Sequence, residues 1–363
     1  MDKIKKNFGF GCMRLPMVGE EVDYEEFNKM IDTFLEAGFN YFDTAHGYIN
    51  GKSETAIRDC LAARHSRESY ILTNKLSPGY FNTREEIRPL FQHQLEQCGV
   101  EYFDFYLMHA LSNDRFDFYQ QVGAFDEALL LKAEGKIRHM GISFHDKAAV
   151  LDRILTERPD IEVVQIQFNY MDYEDPIVES RACYEVCRKH NKPVIVMEPV
   201  KGGKLAQMSD DALAVYKELG EMSPASYAIR FVAGHEGVMM TLSGMGNMDM
   251  MNDNLSYMKD FQPLNQKETE AVWKVADILI KQNQIACTGC RYCVDGCPAG
   301  ILIPDLFTCV NAKRALRDPN ADAAYQAVLG GRSADCVDCG QCEEACPQHL
   351  PVRQLLKMAS KIF

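Results

Sequence analysis

Between residues 8 and 261, short apolar runs alternate with longer stretches in which apolar positions recur every three or four residues. The short runs, at 8–13, 40–43, 70–75, 103–109, 138–143, 163–168, 194–198 and 238–242, are rich in β-branched and aromatic residues and too short for helices, so they read as strands. The stretches between them, such as 23–37, 83–98, 116–134, 176–190 and 224–233, are amphipathic and read as helices. Parallel strands need crossover helices. Units of this kind close most naturally into a (β/α)8 TIM barrel, with a doubly wound open sheet as the alternative. From about Gln282 the composition changes, and two helical stretches, 305–316 and 321–329, stand between two runs of cysteines. The expected division is a barrel at 1–282 and a small α-helical domain at 283–363.

In a barrel the active site lies at the carboxyl ends of the strands, and polar residues end nearly every strand candidate. Asp43 ends the second, with Tyr48 five residues on in the loop NYFDTAHGYINGKSE; Lys75 ends the third and His109 the fourth. An Asp at a strand end is ordinarily a cap, and a lone Lys or His there is ordinarily solvated or satisfied in the core. An Asp, a Lys and a His ending three successive strands beside a loop Tyr describe general acid catalysis by a phenol. A Tyr carries its proton at neutral pH, a nearby Lys cation lowers its pKa, Asp43 would hold Lys75, and His109 would orient a carbonyl oxygen.

Eight of the fourteen cysteines form two matching runs. Cys287, Cys290, Cys293 and Cys297 precede Pro298, and Cys336, Cys339, Cys342 and Cys346 precede Pro347. Each run has the C-x2-C-x2-C-x3-C-P spacing of two-cluster ferredoxins, in which the fourth Cys serves the other cluster. One [4Fe-4S] cluster is therefore expected on Cys287, Cys290, Cys293 and Cys346, and another on Cys336, Cys339, Cys342 and Cys297. Zinc, the plainer reading, favours two separated C-x2-C pairs over a compact run of four. Cys12, Cys60, Cys98, Cys183, Cys187 and Cys309 lie in apolar or helical patterns and read as small buried hydrophobes.

Charge narrows the partners. With 39 basic and 52 acidic residues the formal charge is -13 and no basic cluster offsets it, which speaks against nucleic acid and anionic membrane surfaces. No segment approaches the ~18 apolar residues of a membrane helix, and the start MDKIKKNFGFGCMRLP lacks a signal-type apolar run, so a cytoplasmic protein is expected.

FDTAHGY with the following SE, ILTNK, LEQCGVEYFDFYLMH, GISFH, and LSGMGN leading to MNDN resemble the aldo-keto reductase family, over about residues 8–260. The cysteine module extends that likeness to the family's iron-sulfur members. The resemblance implies that Asp43, Tyr48, Lys75 and His109 are the catalytic tetrad, with Tyr48 as proton donor. It implies that Ser143 and Gln165 hold the nicotinamide amide, that Met197 stands where an aromatic ring often stacks on the nicotinamide, and that Gly244, Met245, Asp253 and Asn254 lie along the adenosine half of NADP(H). Read without the resemblance, GMGNMDMM is a turn feeding a helix, since it has neither a GxGxxG fingerprint nor a Walker lysine. Phe144 replaces a frequent Asn, and Gly244 and Met250 stand where many members carry the basic residues that bind the 2′-phosphate, so NADH and NADPH both remain open as cofactor.

The expected activity is nicotinamide-dependent reduction of a small carbonyl, or oxidation of an alcohol, coupled to or stabilised by two [4Fe-4S] clusters. One alternative is a ferredoxin-coupled reductase, in which a ferredoxin or other carrier feeds single electrons through the clusters. Another is a redox-sensing binding protein, which would have no use for the acid and the lysine together. A return of the chain along 265–281 would bring Cys287 toward the catalytic mouth.

Overall fold

The computed structural model describes residues 1–363 apart from 2, 283, 315–317 and 319. Eight parallel strands close a barrel: β1 (Phe8–Gly11), β2 (Tyr41–Asp43), β3 (Ile71–Leu76), β4 (Phe103–Leu111), β5 (Ile137–Phe144), β6 (Val163–Gln167), β7 (Val194–Met197) and β8 (Val238–Ser243), with β1 pairing both β2 and β8. All eight expected strands are present and the open-sheet alternative is excluded. The register sets Asp43 of β2 opposite Thr73 of β3, and Lys75 of β3 opposite Leu107 of β4, which brings reactive side chains to one end of the barrel.

The period-two pattern of β1 shows how the wall is built. Phe8 and Phe10 point outward into an aromatic layer with Phe27 and Phe34 of the helix Tyr24–Glu36, while Gly9 and Gly11 point inward. A Cβ on Gly9 would meet Leu242 and Met240 at 2.9 Å, so the filled barrel interior leaves room for no side chain there. That interior is Tyr41, Ile71, Phe105, Leu107, Ile195 and Met240, among others. The helices start where sequence chemistry dictates. Asp23 caps Tyr24–Glu36 by accepting from the Glu26 N–H at 3.0 Å, and Thr83 with Glu86 forms a capping box on Arg84–Cys98.

Two expected helices differ. The stretch at 116–134 is two helices, Asn113–Gln121 and Ala124–Ala133, broken at Gly123, whose φ of 68° is the left-handed conformation that ends a helix. The stretch at 176–190 is helical only over Ser180–Lys189. Before it Asp175 Oδ1 accepts from the backbone of Ile177 and Val178 in a side-chain turn that competes with helix.

The chain forms two compact units: residues 1–199 with 229–264, and residues 200–228 with 265–363. The second contains the helix Gln266–Lys281, whose N-terminus carries an Asn265–Glu268 capping box, and an α-helical core of Ile301, Ile303, Leu306, Phe307, Val352 and Leu356. The two helices expected between the cysteine runs are Ile303–Arg314 and Ala321–Ala327; residue Leu316, the expected end of the first, lies outside the described residues. Among the described residues no helix is long and apolar enough to cross a membrane. Cys12, Cys60, Cys98, Cys183, Cys187 and Cys309 are all buried thiols, as their apolar surroundings imply.

Candidate active site and cysteine centre

Three strands and one loop supply the candidate catalytic group. Lys75 and Asp43 are almost wholly buried, 0% and 3% exposed, and pair at 2.5 Å between Nζ and Oδ1. Lys75 Nζ also donates to the Thr44 carbonyl at 2.8 Å and to the Tyr48 hydroxyl at 3.3 Å. The loop that carries Tyr48 continues through Ile49, Asn50 and Gly51 at φ 52°, 53° and 84°. A β-branched residue in the left-handed region costs on the order of 1–2 kcal/mol, so this loop is held by its surroundings. The ring of His109 stands 6.1 Å from that of Tyr48, at 76° to it, and its Nδ1 is 2.7 Å from Ser77 Oγ. The His109 carbonyl accepts from the Tyr119 hydroxyl at 3.2 Å. Asp43, Tyr48, Lys75 and His109 are thus brought together.

Burial and neighbouring charges shift Asp43, Tyr48 and His109. Burial pushes the Asp43 carboxyl up, against the pull of Lys75 and Gln165. Burial, then the Asp43 and Glu198 charges, pushes the Tyr48 phenol well above its ordinary range, with Arg14 opposing. The sequence suggested the reverse, a phenol lowered by Lys75. The difference is physical: Asp43 neutralises the ammonium at 2.5 Å, and little of its field is left to offset desolvation of the phenolate. Burial, then Lys75, His145 and Arg115, holds His109 well below the usual imidazole value, so it is neutral at physiological pH. The arrangement presents a protonated phenol and a neutral imidazole side by side.

Ser143 and Gln165 are register partners on β5 and β6. The Ser143 hydroxyl accepts from the Ala110 N–H at 2.7 Å, and Gln165 Nε2 donates to Asp43 Oδ2 at 3.2 Å. Met197 ends β7, half-buried. Gly244 follows β8, where a Cβ would sit 3.5 Å from that of Arg14. Met245 is fully buried and Met250 is 49% exposed. Asn254 is turned inward, donating to Ser243 Oγ at 2.8 Å and accepting from the Tyr257 hydroxyl at 2.5 Å, while Asp253 is half-buried. Sequence reasoning missed Arg14 and Glu198, whose charges reach Tyr48, because no local pattern ties them to a residue so far along the chain.

In the second unit Cys297, Cys336, Cys339 and Cys342 line one small cavity, walled also by Ile303 and Leu356. The cavity draws its fourth cysteine from the other run. Burial pushes the Cys293 thiol up to about 12, and the neighbouring thiols of Cys290, Cys287 and Cys346 add to the shift, so these four are the second set of neighbours. Among the described residues no three His, Cys, Asp or Glu side chains converge on a point that a single metal ion could occupy. The donor set is all sulfur and spaced around a cavity, which fits a larger thiolate-bound group better than one zinc held at ~2.3 Å from every ligand.

A closed parallel barrel that gathers Asp43, Lys75, His109 and Tyr48 at one end has the layout of a (β/α)8 enzyme. A model of the aldo/keto reductase family matches residues 7–277, and a 4Fe-4S dicluster domain matches residues 286–350. The chain belongs to the aldo/keto reductase family, and it is an NAD(P)H-dependent oxidoreductase carrying an iron-sulfur domain. It is 23% identical over 274 residues to the uncharacterized oxidoreductase YqkF of Bacillus subtilis, covering 68% of this chain and 85% of that one. It is 27% identical over 197 residues to the NADH-specific methylglyoxal reductase of Escherichia coli, covering 48% of this chain and 57% of that one. An aldo-keto reductase from Klebsiella pneumoniae in complex with NADPH shares the barrel, with a TM-score of 0.57 and 19% identity over 74% of this chain and 90% of that one.

Proposed function

We propose that the barrel reduces a small carbonyl compound, or oxidises the corresponding alcohol, with Tyr48 as the proton donor. The observation that carries this is the buried Asp43–Lys75–Tyr48 chain, at 2.5 and 3.3 Å, beside a neutral His109. When bound, a nicotinamide cofactor would supply a hydride to the carbonyl carbon, and Ser143 and Gln165 would hold its amide, Met197 its ring, and Gly244, Met245, Asp253 and Asn254 the adenosine half. Tyr48 and His109 hydrogen-bond the carbonyl oxygen. As negative charge develops on that oxygen the Tyr48 Oη–H bond breaks and its proton passes to the oxygen, giving the alcohol, while the phenolate oxygen left behind keeps the hydrogen bond that Lys75 Nζ donates to it. Bulk water then returns the proton to Tyr48. The absence of basic side chains at Gly244 and Met250 favours NADH, or little discrimination between the two cofactors.

Two [4Fe-4S] clusters are assigned to Cys287, Cys290, Cys293 and Cys346 and to Cys336, Cys339, Cys342 and Cys297, supported by the two sets of neighbouring thiols. The functional division is 1–282 and 283–363, and the cytoplasm is the compartment that keeps such thiols reduced. A cluster transfers one electron at a time. The exposure of Cys339 favours a second reading, in which the iron-sulfur domain exchanges electrons with a ferredoxin or similar carrier. Anaerobic purification followed by separate titration with NADH, NADPH and reduced ferredoxin tests both. Turnover of a carbonyl panel with NADH or NADPH alone supports the first; turnover only with reduced ferredoxin overturns it in favour of the second.

A further inference from the structure

Glu54 is a fully buried carboxylate on the short helix Lys52–Ala56, outside the four side chains just described. Its Oε2 accepts from His46 Nδ1 at 2.7 Å, and its Oε1 accepts from Asn74 Nδ2 at 2.8 Å and Gln94 Nε2 at 3.2 Å. His46 belongs to the loop that carries Tyr48. Asn74 and Gln94 in turn grip the main chain of Lys75 from both sides. The Asn74 Oδ1 accepts from the Lys75 N–H at 2.8 Å, and Gln94 Nε2 donates to the Lys75 carbonyl at 3.0 Å. Tyr106 fixes Gln94 by donating to its Oε1 at 2.6 Å.

The residue before Glu54 completes the frame. Ser53 Oγ donates to the Cys12 carbonyl at 2.8 Å and lies 2.7 Å from Thr44 Oγ1, and the Thr44 carbonyl takes the Lys75 ammonium at 2.8 Å. One turn of helix thus holds both the peptide and the ammonium of Lys75, and through His46 it holds the strained loop of Tyr48. At 3.3 Å the Lys75–Tyr48 contact is long for a charge-assisted bond, so small displacements of either partner decide whether it forms.

We propose that Glu54 is a positioning residue for proton donation: by joining the Tyr48 loop to the Lys75 peptide it sets the distance between ammonium and phenol. The proposal rests on the reading of Tyr48 as proton donor. It predicts a failure of geometry in Glu54→Gln, which keeps the shape but has one acceptor oxygen in place of two, so it cannot accept from His46 on one side and from Asn74 and Gln94 on the other at once. Adding Asn74→Asp restores complementarity, because the new amide donates to the new carboxylate, which still accepts from the Lys75 N–H and Gln94, while the remaining amide oxygen still takes His46.

The test compares wild type, Tyr48→Phe, Glu54→Gln and the Glu54→Gln/Asn74→Asp pair as anaerobically purified, cluster-loaded enzymes, reading kcat, KM, nicotinamide affinity, iron content and the pH profile of kcat. Glu54→Gln should lower kcat by about 10–100-fold, with KM and cofactor affinity within about twofold of wild type, and should move the alkaline limb of the profile. The paired variant should return kcat to within about threefold of wild type. Full kcat in Glu54→Gln while Tyr48→Phe is inactive overturns this proposal alone; activity retained in Tyr48→Phe overturns the reading beneath it. If the single variant does not fold, the pair decides: near-normal kcat supports the proposal, and a folded, cluster-loaded pair that stays about tenfold slow overturns it.

Discussion

Replacing Lys75 by Met removes one partner of a nearly dry ion pair and leaves the other in place. Asp43 is 3% exposed, and burial already pushes its carboxyl up even with Lys75 pulling it down at 2.5 Å. A buried charge stripped of its partner costs about 3–5 kcal/mol, which for a chain of 363 residues lowers the unfolding midpoint by about 4–7 °C. The cost depends on pH with a defined sign. In Lys75→Met the folded Asp43 has a raised pKa and keeps its proton, whereas in the unfolded chain it ionises near ~3.9. Below that value both states are neutral and the variant loses little to Asp43. As pH rises above it the unfolded state gains ionisation that the folded state lacks, and stability falls by up to ~1.4 kcal/mol per pH unit until the folded carboxyl also ionises. Calorimetric unfolding of the cluster-loaded proteins between about pH 4.5 and 7.5 should therefore show the gap between wild type and variant widening with pH. Asp43→Asn in the same chain should close most of it, because no charge is then left to desolvate. A gap below about 1 kcal/mol, one independent of pH, or a double variant no better than the single would refute this view of the pair.

Tyr48→Phe should lower carbonyl reduction at least ~100-fold while nicotinamide affinity, read by fluorescence titration, changes little, since only the acid is removed. NADPH should bind less than about tenfold more tightly than NADH, because a doubly charged phosphate would lack its usual partners; a larger ratio would show that another side chain supplies them. Cys339→Ser should cost about half of the iron and leave the second cluster's electron paramagnetic signal intact, as expected if the eight cysteines form two independent sets of four. His109, held well below the usual imidazole range, should give no titration step in kcat near ~6.5, so an acidic limb there that vanishes in His109→Gln would contradict its neutral state.

The barrel was legible because its determinants are local and repeated. Phe8 and Phe10 alternate with Gly9 and Gly11, and eight short apolar runs are set off by amphipathic stretches, a pattern with one natural closure. Asp43, Lys75 and His109 were legible because a parallel barrel presents strand ends on one face. The two cysteine runs were legible because their spacing is regular, and the proposed cross-over of ligands is read from that spacing. Helix interruptions were harder: Gly123 breaks a stretch whose apolar spacing runs on, and Asp175 draws backbone N–H groups into a turn just where a helix would start. The Tyr48 shift was misjudged because proximity to Lys75 is visible in the motifs, whereas neutralisation by Asp43 and the depth of burial exist only in three dimensions. The frame around Glu54 could not be read at all, since it is made by His46, Asn74, Gln94 and Tyr106 from separate elements.

In the proposed reaction a hydride moves from nicotinamide to a carbonyl carbon while Tyr48 supplies the proton. Its most direct measurement uses NADH stereospecifically deuterated at C4, either face in turn, with anaerobically purified enzyme in ordinary water and mass analysis of the alcohol formed. One face should place a single deuterium on the carbinol carbon, with no requirement for reduced ferredoxin, and Tyr48→Phe should abolish the label transfer. An alcohol that carries only solvent hydrogen with both labelled cofactors, formed only when reduced ferredoxin is present and unaffected by Tyr48→Phe, would contradict it.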